Sequence, residues 1–124
     1  VKVKAKVILN YGTVKKIESA ALKALPLTME SMKSEINNMQ VVPKDTGNLE
    51  ESIKVGVDNN KAYISYNTPY ARKMYYHPEF NFRKDRNPNA QGRWLDTFIH
   101  GDKKKWLERA FAIHLKQNSG GVIK

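Results

Sequence analysis

Apolar positions change their period repeatedly along the chain, and each change predicts a new element. Val1, Val3, Ala5 and Val7 alternate with Lys2, Lys4 and Lys6. Period two with β-branched residues predicts a half-buried strand whose lysine face meets water, and lysines also guard an exposed sheet edge against wrong pairing. Tyr11-Gly12-Thr13 breaks the strand, with Thr13 expected to cap the helix that follows. From Val14 to Met39 the spacing turns helical: Val14, Ile17, Ala21 and Leu25, then Met29, Met32, Ile36 and Met39, recur at steps of three and four. Pro26 removes a backbone donor in the middle of that run, so a kink or a break into two helices is expected near residues 25–27. At this spacing the methionines fit core packing better than an adaptable binding surface.

Val42-Pro43-Lys44-Asp45-Thr46-Gly47-Asn48 reads as a loop, since Pro43 stops the helix and the next four residues are turn formers. Ile53, Val55 and Val57 then alternate with Lys54, Gly56 and Asp58, and Ala62 to Tyr66 forms a further strand after the turn Asp58-Asn59-Asn60-Lys61. These two strands should make an antiparallel hairpin. Thr68 as N-cap and Pro69 at the first helical position predict a short helix over Tyr70 to Tyr76. The stretch from His77-Pro78 to Arg93 follows neither period, and so long a loop in a small domain is usually functional or mobile. A last helix is expected from about Gly101-Asp102, with Trp106, Leu107, Ala110, Phe111, Ile113 and Leu115 as its apolar stripe. The order of elements predicts an α+β fold, an antiparallel β-sheet packed against a long, kinked or broken N-terminal helix and a C-terminal helix. Residues 1–116 are expected to form a single domain and 117–124, with Ser119-Gly120-Gly121, a flexible tail.

Composition narrows the function. The chain has 124 residues and no cysteine, which excludes disulfides and thiolate metal sites and makes a reducing cytoplasm the expected place of synthesis. No apolar run approaches the roughly 20 residues that span a bilayer, and the opening residues show no apolar signal-peptide region. The formal net charge of +10 favours polyanionic partners such as DNA or an acidic protein surface, although solubility alone would also account for it.

Catalytic spacing is hard to find. His77, His100 and His114 are far apart, and none has the i, i+4 partner with a neighbouring Glu that marks a zinc helix. There is no Gly-rich phosphate loop, no G-x-S-x-G elbow, and the adjacent Glu50 and Glu51 diverge on any regular element. No enzyme activity and no cofactor, metal or small-molecule substrate is therefore expected. One constellation interleaves aromatics with cations: Tyr70, Arg72, Lys73, Tyr75, Tyr76, Phe80, Phe82, Arg83, Lys84, Arg86 and Arg93. Such a stretch suits nucleic-acid stacking, a protein interface or an ordered loop with solvated charges. We take Phe80, Phe82, Arg83, Lys84, Arg86 and Arg93 as interface or DNA-facing candidates, on an arm that is mobile until it meets a neighbour.

Two segments carry a resemblance. Val42-Pro43-Lys44-Asp45-Thr46-Gly47-Asn48-Leu49-Glu50-Glu51-Ser52-Ile53 follows a long helix and leads into a strand, and Tyr66-Asn67-Thr68-Pro69-Tyr70-Ala71-Arg72 follows the hairpin. In order and spacing, over about residues 14 to 115, these resemble the minor capsid and head–tail joining (tail-completion) proteins of tailed bacteriophages, with their P-x-D-T-G-x-L-x-x-S turn and later P-Y-A. Lys73-Met74-Tyr75-Tyr76-His77 and the basic loop before Trp94 depart from the commoner pattern and look like the branch found in phages of Gram-positive hosts. Pro43, Asp45, Thr46, Gly47, Leu49, Pro69, Tyr70 and Ala71 are then fold-determining positions and not a catalytic site. The resemblance implies a virion protein of the neck between portal and tail, in a ring of its own copies beside neighbouring phage proteins, with the double-stranded DNA that passes through as a further partner and no membrane. Rival readings are a small basic RNA-cleaving toxin of the RelE type, built around His77, Tyr76, Arg83 and Arg86, and a nonspecific DNA-binding accessory protein. A toxin should block growth when expressed; a neck protein should not.

Overall fold

The structure, a computed structural model, describes residues 2–4, 11–45 and 47–121. In chain order these form β1 (Lys2–Lys4), α1 (Tyr11–Met39), α2 (Asn48–Glu51), β2 (Ile53–Asp58), β3 (Lys61–Tyr66), α3 (Ala71–Tyr76), α4 (Asp96–Ile99) and α5 (Lys103–Gln117). The sheet is antiparallel with order β1-β3-β2, and its helices pack as an α+β fold, as the periodicity predicts. β1 lies at an edge, where its lysines were expected; the rest of the alternating run, residue 1 and residues 5–10, lies outside the described residues.

The hairpin shows how pattern becomes packing. Asn59 and Asn60 turn with φ of 50° and 62°, so both central residues are left-handed, as a two-residue hairpin requires. That fixes the register Ile53↔Tyr66, Val55↔Ile64, Val57↔Ala62. These pairs share one face of the sheet and join the hydrophobic core against α1.

α1 departs from expectation at both marked places. Its backbone is helical from Tyr11, so Thr13 lies inside the first turn and does not precede it. It also crosses Pro26 without the expected break. Pro26 and Leu22, whose carbonyl loses its donor, are exposed, so that carbonyl can meet water. On the opposite side Ala24, Leu25, Met29, Met32 and Ile36 are almost fully buried. Packing of that continuous face offsets an interior proline's cost of about 3 kcal/mol.

α5 contributes less core than its stripe suggests. Leu107 is buried and Trp106 and Phe111 pack on the core, but Ile113 is exposed. Two side-chain contacts fasten α5 to α1: Lys103 Nζ donates to Glu35 Oε2 at 2.7 Å, and Ser31 Oγ lies 3.0 Å from His114 Nε2. Gln117 belongs to the helix, and Asn118 N and Ser119 Oγ donate to the carbonyls of His114 and Lys116.

Between α1 and the sheet, Gly47 stands with φ 93° just before the single turn of α2. A Cβ built there would meet nothing nearer than 3.6 Å, so the constraint is the backbone angle and not space. Gly47→Ala should therefore lower stability by about 1–2 kcal/mol, with Gly47→Asn costing less, because only glycine and, to a degree, asparagine adopt this conformation cheaply. Chemical denaturation of the purified variants measures it; an unchanged midpoint for Gly47→Ala would remove the conformational argument.

Candidate interaction surface

The two motifs that lie far apart in sequence meet in space. Asp45, Gly47 and Leu49 from the first, Tyr70 from the second, Met74 one turn on, and Phe82 and Arg83 from the basic loop line one hollow of about 400 Å³. Pro43 and Leu49 are buried in its floor, and Thr46 lies outside the described residues. Ala71 is core. The helix bearing it opens later than expected: Ala71 N donates to Thr68 O, Tyr70 takes the N-cap position, and Thr68 and Pro69 form a turn ahead of α3 with no side-chain cap.

The stretch from His77 to Arg93 divides into two parts. Its second half is built into the fold. Asn87 is buried, and its Nδ2 donates to Val42 O at 2.8 Å and approaches Glu50 Oε2 at 3.3 Å. Asn89 Nδ2 donates to Met39 O at 2.9 Å, Gln91 N to Val41 O at 3.0 Å, and Arg93 N to Tyr75 O at 2.9 Å. Ala90 and Gly92 are buried, and a Cβ on Gly92 would fall 2.7 Å from Pro78 Cα. Residues 87–93 therefore do not form the expected arm, because they are bonded to main-chain carbonyls of other elements, the one at Val42 buried.

The first half is more open but not unattached. Phe80 stacks on His77 with centroids 4.8 Å apart and leans on Phe82 at 6.2 Å, so both phenylalanines are half-buried. Arg83 Nη1 reaches Asp45 of the first motif and its Nε reaches Asp85, each at 2.5 Å. The hydrogen bond and charge of Asp85, with Asp45 adding to them, hold the guanidinium above its ordinary value, and Arg83 holds the Asp85 carboxyl below the usual range. His77 does the same to Glu79. Lys84 and Arg86 are exposed. Arg93 turns back over the Tyr76 ring, 5.3 Å from its centroid.

Sequence reasoning missed Asn87, Asn89 and Gln91 as anchors. The only signal was the Asn-Pro-Asn run itself, whose amides are donors in a stretch without period. Among the described residues no group of His, Asp and Glu is placed to hold a metal, and no helix is long and apolar enough to cross a membrane.

This arrangement presents hollows, aromatic stacks and ion pairs suited to contact. A family model described as minor capsid protein matches residues 3–115. The chain belongs to the minor capsid protein family. That makes it a phage structural protein whose place is the virion, as the two motifs implied. No curated protein and no solved structure matches the chain. The α+β fold described above is thus what a minor capsid protein of this family builds from a helix, a sheet and a pinned loop.

Loss of the buried anchor should outweigh loss of the exposed ion pair. Asn87→Ala leaves Val42 O unsatisfied and should cost about 1–3 kcal/mol. Arg83→Ala should cost much less, since exposed pairs are screened. The Asp85 part of that small term is present above the unfolded carboxylate pKa and fades as pH falls through the depressed folded one. Urea denaturation at neutral and acid pH separates the two; equal losses would contradict the division of the loop.

Proposed function

We propose that this minor capsid protein is a head–tail connector, a tail-completion component of the neck, assembled as a ring of its own copies with DNA passing through it. The observation that carries the reading is the family match over residues 3–115, which takes in both motifs and the elements they join. A ring needs two unlike surfaces on each copy, one meeting the other on the next subunit. Among the described residues the sheet offers two such edges, β1 on one side and β2 on the other, each without an outer partner strand. The hollow shared by the two motifs supplies a concave surface beside an exposed Tyr70 for a neighbouring virion protein.

The toxin reading gains nothing from the geometry. Of its four residues, Arg83 is engaged by Asp45 and Asp85 and His77 by Glu79. We expect purified protein to leave RNA intact, and cleavage lost in His77→Ala would restore the toxin. Immunogold labelling of intact phage tests the neck assignment directly. Label at the single tail-bearing vertex, with filled but tailless heads when the gene is inactivated, is the expected result. Label spread over the whole head shell would overturn it.

A further inference from the structure

Of the cations that first drew attention to the basic loop, Lys84 and Arg86 are exposed but Arg83 is not free. Arg83 is occupied by two aspartates. Arg72 and Lys73 on α3 are exposed and, among the described residues, have no carboxylate within ion-pair distance. Arg93 has only Asp96, at 3.8 Å. These three lie about Tyr76, a residue 54% exposed. The guanidinium of Arg72 lies 5.9 Å from the ring centroid and that of Arg93 lies 5.3 Å away. Arg72, Lys73 and Tyr76, with Pro69 and His77, border a shallow depression of about 550 Å³, and Arg93 reaches the same ring from beside it.

The platform is held from behind. Tyr76 meets Tyr75 edge-on at 5.1 Å, Tyr75 meets buried Trp94 edge-on at 4.8 Å, and the Tyr75 hydroxyl donates to Asp96 at 2.9 Å. Arg93 is aimed by its backbone. Its φ is 48°, a left-handed conformation for a long side chain that glycine or asparagine would take more cheaply. Gly92 before it allows the close approach to Pro78, and the bond from Arg93 N to Tyr75 O fixes the turn. Strain kept at a residue whose head group lies on an exposed ring points to a use for that head group.

We infer that Arg72, Lys73, Tyr76 and Arg93 form a contact site for the phosphate backbone of double-stranded DNA. Protein interfaces are depleted of charge and seat anchor residues in pockets, whereas this patch gathers three cations about one ring on a shallow surface. The same patch on a second copy is a poor occupant, because it would set Arg72, Lys73 and Arg93 against like charges. Guanidinia held against an aromatic ring lose little freedom on meeting a phosphate, and contact through phosphates is independent of sequence. The inference deepens the DNA part of the reading above. Virion position is tested on particles and this site on purified protein, so the two can fail separately.

The test is fluorescence anisotropy of the purified full chain with short labelled duplexes of unrelated sequence, titrated from low to physiological salt. Wild type should bind all duplexes alike. The double variant Arg72→Ala with Arg93→Ala should bind more weakly on every duplex, and the plot of log affinity against log salt should become shallower by about two. Lys104→Ala with Lys105→Ala, exposed cations on α5, should change it less. Arg93→Gly guards against a folding artefact: it should melt no lower than wild type, since it relieves strain, and still bind more weakly. Absence of duplex binding by folded wild type, binding indifferent to the Arg72 and Arg93 changes, or a larger loss from the α5 pair would each overturn the site. Polyglutamate run in parallel is the rival probe; tighter binding than the duplex, lost with the same pair, would assign the patch to an acidic protein instead.

Discussion

The C-terminal end of α1 cannot satisfy itself, and the rest of the molecule is arranged around that fact. A helix leaves its last carbonyls without partners, and Gln40 ends this one in a left-handed turn with a single bond to Asn37 O. The chain then runs through Val41 and Val42, 4% and 1% exposed, so their carbonyls have little access to water. Their partners come from some fifty residues away, from Asn87 and Gln91, while Asn89 takes the Met39 carbonyl. An unmet buried carbonyl costs about 1–3 kcal/mol, which is a large share of a small domain's stability. The return segment is therefore a structural strap that happens to look like a loop.

Because the strap is fixed, the residues that follow it are fixed too. Trp94 arrives at a set position in the core, where Tyr66 and Tyr75 meet its ring edge-on at 5.3 and 4.8 Å. Burial raises the hydroxyl pKa of both tyrosines, helped at Tyr75 by its bond to Asp96, so the cluster stays neutral at any ordinary pH. The sheet reaches this cluster through Tyr66, α3 through Tyr75 and α4 through Asp96. One aromatic group thus couples the hairpin, the short helices and the strap. It also means that contact through α3 would pay little ordering entropy, unlike contact through a chain that must fold first.

What could be read in advance follows from which interactions are local. The hairpin was legible because Ile53, Val55 and Val57 alternate and Asn59-Asn60 is a turn chemistry with few alternatives. The face of α1 was legible because its period persists from Val14 to Met39, and its continuity was not, because whether a helix survives Pro26 depends on tertiary packing. The single turns α2 and α4 are too short to carry a period. The motif residues Gly47, Leu49 and Tyr70 announced themselves by type and order, but their meeting with Phe82 and Arg83 at one hollow is a long-range fact. The strap was invisible for the same reason: Asn87, Asn89 and Gln91 look like solvated loop residues until the carbonyls they serve are in view.

Charge follows the same division between sum and place. A net charge of +10 says that the molecule favours polyanions, but fields from exposed charges fade beyond about 8 Å at physiological salt. What a partner meets at contact is the local balance. Around Arg83 that balance is close to neutral, with Asp45 and Asp85 within bonding distance, and Lys44 and Lys103 are likewise paired with Glu50 and Glu35. These pairs join the first motif to the loop and α1 to α5, so their cations serve cohesion. Asp45 and Glu35 stand where elements must be held together, and Arg72 and Lys73 remain on a surface without such a carboxylate. A run of basic residues in the sequence is thus a poor guide to a basic site, because the fold assigns the carboxylates before any partner arrives.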